Sequence, residues 1–493
     1  MSVTIAGCMT APSAAETEAS TALQHVTNGE VFSVDDAFDE GPVRYTAHWD
    51  RLVLDTDDIG AETTISGTAY LRDCDCPGSE RPVMFLFNGG PGASSSPLHF
   101  ALGPKGRDRE DGETAFSDNP VTVLRDTDLV FIDPVETGFS RSASPDGESR
   151  FLGIDGDVEA VGAFIHSWLE AHERSEAPIF VTGQSYGGFR LANLAADLDD
   201  LNVEGLVMVS PALDMGGGSS DLGHVFALPT MAATAWRFGK SSIDAASEEE
   251  AWEQARQFAE TDYLVALQRG DLLGEDERER VATRVASMTG LSSALVMDAD
   301  LRVGKQVFLE NVLADENKLV SRLNTAVTQE KKPPANPDRP AGANDPSLGL
   351  GRSNKIIAED IADYLKALTG LDREDGYRSL NLDANFAWDW RRAGKAPVFS
   401  FNATPLVARF LDKNENAGLL VFGGYRDLAV TALQTQYALT HAGLPQERVE
   451  YVVMASGHSP FDEEELREPF AGHIRAFIAD ALADQGKAGE TPE

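Results

Sequence analysis

The stretch PIFVTGQSYGGFRLANLAADL, Pro178 to Leu198, decides how the rest of the chain is read. Pro178 to Thr182 is β-type sequence, Gly183-Gln184-Ser185-Tyr186-Gly187 follows, and a helix-like run begins at once. Strand, glycine-flanked serine and helix in that order predict a sharp turn. The glycines let the two backbones approach closely, and the serine is held strained with its hydroxyl above the carboxyl edge of a sheet. The pentapeptide alone is a weak signal; its setting makes it a strong one.

Working outward, Val83 to Phe87 (VMFLF) is an all-apolar run that ends directly in Asn88-Gly89-Gly90-Pro91-Gly92-Ala93-Ser94-Ser95. Asp128 to Val135 (DLVFIDPV) leads into Glu136-Thr137-Gly138-Phe139-Ser140, and Gly205 to Ser210 (GLVMVS) is of the same kind. Far downstream come Leu419 to Phe422 (LLVF) and Val449 to Met454 (VEYVVM). Short runs without polar alternation predict strands buried on both faces. Asp155 to Glu173 separates two of them, with Val158, Val161, Ile165 and Leu169 at helical spacing. The alternation predicts an α/β fold with a mostly parallel central sheet and helices on both faces. Val43 to Leu71 instead alternates in two stretches and predicts an antiparallel strand pair.

Residues 1–40 read as a polar, mobile leader, 41–214 and 396–483 as the α/β core, and 484–493 as a polar tail. Residues 215–395 break the rhythm with helix-like segments near 246–268, 275–288, 306–327 and 355–369, predicting a helical cap insertion. Within it, Lys331 to Asn354 reads as a long mobile loop.

Acidic residues number 80 against 41 basic ones, a net charge of −39. Such a surface repels nucleic acid and anionic lipid and excludes both as partners. The scarcity of lysine, 11 against 30 arginines, fits a solubility adaptation to salt. The three cysteines are Cys8, Cys74 and Cys76. The C-x-C pair reads as two free thiols, because the ring of a disulfide there would be short. No cysteine–histidine spacing suits a metal, and no apolar run is long enough to span a bilayer. Ile5-Ala6-Gly7-Cys8 resembles a bacterial lipid-attachment box, yet only seven residues precede Cys8 and none is basic. Cys8 is a lipid anchor if the true start lies upstream, so a cell-envelope and a cytoplasmic location both stay open.

A serine hydroxyl needs a base within hydrogen-bond reach and a group that orients the base. In α/β-hydrolase folds the acid and then the histidine follow the serine, each on a loop at a strand's carboxyl end. After LLVF comes Gly423-Gly424-Tyr425-Arg426-Asp427, and after VEYVVM comes Ala455-Ser456-Gly457-His458. Asp427 and His458 therefore complete a candidate triad with Ser185. The attacked carbonyl also needs two N–H donors, for which the amides of Tyr186 and Gly90 are the candidates. No metal or cofactor enters this chemistry.

These segments together resemble the serine carboxypeptidases. NGGPGASS is similar to their NGGPG-S-S loop, DPVETGFS to their D-x-P-V-G-T-G-[FY]-S segment, and GQSYGG to their G-E-S-Y-G-G elbow; GGYRDLAV and SGHSPF match the remaining triad segments. The resemblance implies a peptide substrate and hydrolysis of its C-terminal bond through an acyl-enzyme on Ser185. It also implies that Asn88, beside Gly89, and residue 184 hold the substrate's terminal carboxylate. Two family glutamates that share protons with that carboxylate are replaced by Gln184 and Ala101. An amide N–H donates at any pH, so activity is expected to extend to neutral and alkaline pH. Esterase or acyltransferase activity on the same scaffold, and a non-catalytic binding protein, are the alternatives. Elsewhere, His99 reads as packing or substrate-lining, Trp388 and Trp390 as core, and Tyr425 and Arg426 as surface. Asp383 and Asp389 read as acids that compete with Asp427, and Glu248 to Glu250 and Asp462 to Glu465 as solvated helix faces.

Overall fold

Ten strands form one sheet in the computed structural model, which describes residues 23–35, 37–38, 41–54, 62–78, 80–110, 113–215, 220–391 and 402–488. They are β1 (Gln24–Val26), β2 (Phe32–Val34), β3 (Val43–Leu54), β4 (Thr63–Arg72), β5 (Val83–Phe87), β6 (Asp128–Asp133), β7 (Ile179–Gln184), β8 (Val203–Val209), β9 (Gly418–Gly424) and β10 (Val449–Met454). Their order is β1-β3-β4-β6-β5-β7-β8-β9-β10, with β2 also paired to β3. From β6 to β10 every pairing is parallel, and β5 through β8 are buried along their whole length. That burial explains the unbroken apolar runs, since both faces are covered. The antiparallel pair expected from Val43 to Leu71 is present as β3 and β4. Helix Ile154–Ala171 packs Val158, Val161, Ile165 and Leu169 into the core on one face. Helix Glu464–Ala488 places Phe470, Ile474 and Ile478 into the apolar cluster on the other.

Four readings differ from the structure. Residues 1–22, with Cys8, lie outside the described residues, but β1 and β2 fall inside the stretch read as a mobile leader. Val34 is buried against β3, so this part is sheet edge. Cys74 and Cys76 form a disulfide, because the turn after β4 brings their Cα atoms to 5.4 Å, within the range a bridge spans. The helix expected over 306–327 stops at Asn311. Asn317 then adopts a left-handed conformation, and a hairpin of Lys318–Val320 with Thr328–Glu330 carries the loop 321–327 at its tip. The loop Lys331 to Asn354 is tied down: the guanidinium of buried Arg339 donates to the carbonyls of Ala343, Gly351 and Ser353.

The helices between β8 and β9 pack in two places. Helices Asp221–Arg237, Glu248–Phe258, Glu275–Thr289 and Lys305–Asn311 share an apolar cluster with Leu428, Ala432 and Leu433 of the chain that follows β9. Helix Glu359–Thr369 instead joins the cluster under β3 and β4, through Ile361, Leu365 and Leu368. Among the described residues no helix is long and apolar enough to cross a membrane.

Candidate active site

β7 ends at Gln184, and Ser185 follows with φ +60° and ψ −125° before helix Tyr186–Leu194 starts. A non-glycine residue there stores roughly 1–3 kcal/mol of backbone strain. The surroundings hold it: the Ser185 N–H donates to Val209 O (2.9 Å), and its carbonyl accepts from Gly188 (2.9 Å) and Ala212 (3.0 Å). Residues on either side of Ser185 are buried while the serine itself is partly exposed.

The loop after β5 crosses this turn closely. A Cβ on Gly89 would lie 2.5 Å from the Tyr186 nitrogen, so only glycine fits. Gly90, at φ +101°, is exposed beside the serine. The loop is anchored from below by Arg190, whose guanidinium donates to Asn88 O (2.6 Å) and pairs with buried Asp157 (2.6 Å). The same guanidinium lies over the Phe87 and Tyr186 rings.

His458 and Asp427 meet as the loop order predicts. His458 Nδ1 is 2.6 Å from Asp427 Oδ2, and the fully buried aspartate also accepts from the amides of Ala429 (2.8 Å) and Val430 (3.0 Å) through Oδ1. Those bonds fix the carboxylate's orientation, which in turn orients the imidazole. The competing acids are engaged elsewhere: Asp383 with Asn354 and Lys355, Asp389 with Arg391. Ser185, Gly90 and His458 line one cavity of about 300 Å³, together with Leu213, Lys305, Arg322 and Leu323.

Asn88 and Gln184 are brought together, but not to the cavity wall. Asn88 Nδ2 donates to Gln184 Oε1, and Gln184 Nε2 spends its donors on His458 O (3.1 Å) and Ser459 Oγ (2.8 Å). Gln184 is therefore a clamp on the histidine loop, with Gly89 buried alongside. His99 is packing, stacked on Phe131 and bonded to Tyr70 (2.6 Å); burial lowers its pKa to about 3. Trp388 and Trp390 pack edge-on against Tyr186.

Tyr425 and Arg426 correct the surface reading. Tyr425 packs against Trp252, while Arg426 is 2% exposed and pairs with Glu248 and Glu463. Those two glutamates are thus drawn out of acidic runs that read as solvated. The sequence reading also misses the segment 321–325, which is bolted to both the Asp427 and the His458 loops. Leu428 N donates to Arg322 O (2.9 Å), His458 N to Leu323 O (2.7 Å) and Thr325 N to Arg426 O (3.1 Å). Ser321, three residues before Asn324, accepts from the Asn324 amide, a local hint of this turn.

A strained serine at a strand-to-helix turn, with the acid and histidine on loops after the last two strands of a mostly parallel sheet, defines an α/β-hydrolase fold. A solved structure agrees: the prohormone-processing carboxypeptidase Kex1Δp of Saccharomyces cerevisiae superposes with a TM-score of 0.53 at 15% identity, over 88% of this chain and 91% of that one. The segment carrying the glycine-rich loop and the elbow is similar to the serine carboxypeptidases, whose family model matches residues 73–209. Serine carboxypeptidase-like 36 of Arabidopsis thaliana is 35% identical over 147 residues, 28% of this chain and 30% of that protein. Serine carboxypeptidase-like 38 of the same plant is 31% identical over 161 residues, 30% of this chain and 32% of that protein. The matched stretch thus spans about a third of these relatives' length.

Proposed function

We propose that the chain is a serine-type, carboxypeptidase-like hydrolase. The observation that carries this reading is the convergence of Ser185, Gly90 and His458 on one cavity, with Asp427 bound behind the imidazole. Ser185 Oγ attacks the scissile carbonyl while its proton passes to His458 Nε2. The resulting oxyanion faces the N–H groups of Gly90 and Tyr186. Collapse breaks the C–N bond, and the leaving amine takes the proton from His458. Water, deprotonated by the same imidazole, then releases the acyl group from Ser185. Asp427 stays ionised and holds the ring as the imidazolium forms. The likeness over residues 73–209 supports a peptide with a free C-terminus as substrate.

A second reading keeps the triad and takes an ester or an acyl acceptor. What favours it is the use of Gln184's amide donors on the histidine loop instead of the cavity. An N-blocked dipeptide offered as free acid, methyl ester and amide separates the two. Release of the C-terminal amino acid from the free acid supports the peptidase. Turnover of the ester alone assigns the second reading.

A further inference from the structure

We propose that Lys305 and Arg322 form an anion subsite in the catalytic cavity, which recognises a carboxylate on the substrate. This deepens the hydrolase reading and rests on it. Both residues line the cavity beside Ser185 and His458, and Arg322, whose guanidinium lies near Gly342, also lines the adjoining cavity. Among the described residues neither makes an ion pair. The Lys305 ammonium has a single 3.4 Å contact to Ala429 O, and the buried Nε of Arg322 has no hydrogen-bond partner. Other buried cations have named partners: Arg81 pairs with Asp128, Arg190 with Asp157, Arg426 with Glu248 and Glu463, and Arg339 donates to three backbone carbonyls. Both side chains are half-buried, and a partly desolvated cation without an ion-pair partner is costly, so in a chain of net charge −39 the pair is placed for an anion that arrives.

Asp427 offsets part of the Lys305 charge without bonding to it, because His458, Ala429 N and Val430 N already occupy its oxygens. Asp214 is the acid on the wall, and it accepts from Asn402 Nδ2 at 3.5 Å. Arg322 is also held in place. Its N–H donates to Asp345 Oδ2 (2.7 Å) and its carbonyl accepts from Leu428, so its Cα moves only with the Asp427 loop. Burial lowers the Lys305 pKa to about 8, with the Asp427 charge opposing the shift and the Arg322 charge adding to it. Meanwhile the resemblance-derived carboxylate ligands, Asn88 and Gln184, are spent on one another and on the His458 loop.

The carboxylate can come from the substrate's C-terminus or from an acidic side chain, and three substrate pairs separate these sources. Blocked Phe-Leu is compared with its amide, blocked Phe-Glu with Phe-Gln, and blocked Glu-Leu with Gln-Leu. Rates are expressed per serine that reacts with a fluorophosphonate. The full-length protein is expected to prefer the anionic member of one pair by tenfold or more, the scale of a charge-assisted contact. The first pair assigns the terminus and either of the others a side chain. Arg322→Met and Lys305→Met should each cut that preference about tenfold, with Arg322→Lys keeping part of it; Lys305→Gln and Arg322→Lys give the reading if a methionine variant does not fold. Equal rates within all three pairs, or a preference undiminished in the variants, overturns the subsite while leaving the hydrolase standing. Absence of fluorophosphonate labelling in the unmodified protein overturns both.

Discussion

Replacing Gln184 by glutamate should make catalysis depend on acid. Gln184 is 3% exposed and donates from Nε2 to His458 O and Ser459 Oγ, while Oε1 accepts from Asn88. An ionised glutamate in the same place turns an acceptor toward the His458 carbonyl. Ser459 can reverse its hydroxyl, and Asn88 still donates; the carbonyl cannot. Loss of one hydrogen bond, oxygen–oxygen repulsion and partial desolvation together disfavour the ionised form by roughly 2–3 kcal/mol. At about 1.36 kcal/mol per unit, this raises the carboxyl from about 4.3 to about 6. Because the folded-state value is raised, the clamp is intact below about pH 6 and lost above it. The assay is kcat/KM for one neutral ester, measured from about pH 5 to 8 in both proteins. The ratio of variant to unmodified enzyme should be near one at the acid end and fall tenfold or more by pH 8. A ratio that does not change with pH would refute the clamp. The unmodified enzyme, whose amide has no proton to lose, should stay active at neutral and alkaline pH.

Three further expectations follow from the same geometry. Arg190→Met leaves buried Asp157 unpaired and frees the Asn88–Gly90 loop, so urea unfolding should show a loss of about 3–5 kcal/mol and kcat should fall in the folded fraction. Asp427→Asn removes the acceptor that orients His458 Nδ1, so kcat should drop on the order of 10³–10⁴ with little change in KM. Lys305 loses its proton as pH rises through about 8, so KM for the preferred anionic substrate should climb between pH 7 and 9 and stay flat in Lys305→Met; burial sets that value against the opposing Asp427 charge, Arg322 adds to it, and Asp214 and His458 line the same cavity.

The central sheet is legible in the sequence because parallel strands covered on both faces are continuous apolar runs, and several end in glycine-containing loops. Ser185, Asp427 and His458 stand at such ends, and their positions follow from strand order alone. What escapes reading is carried by long-range polar bonds. Arg426 and Glu248 lie 178 residues apart, and neither sequence neighbourhood announces the other. Arg322 sits in a hairpin tip whose helical look is overridden by Asp345, which accepts from Ser321 Oγ and Arg322 N. The roles expected for Asn88 and Gln184 come from likeness to a family in which residue 184 is an acid. Exchanging acid for amide lets the side chain donate, and it turns to the nearest carbonyl.

The most direct trial of the account is the site of a covalent adduct. The full-length protein is treated with a fluorophosphonate, digested, and the modified peptide sequenced by mass spectrometry. One adduct per chain is predicted, on Ser185, absent in Ser185→Ala and forming far more slowly in His458→Ala. An adduct on another residue, or an unmodified Ser185 in folded protein, would contradict it.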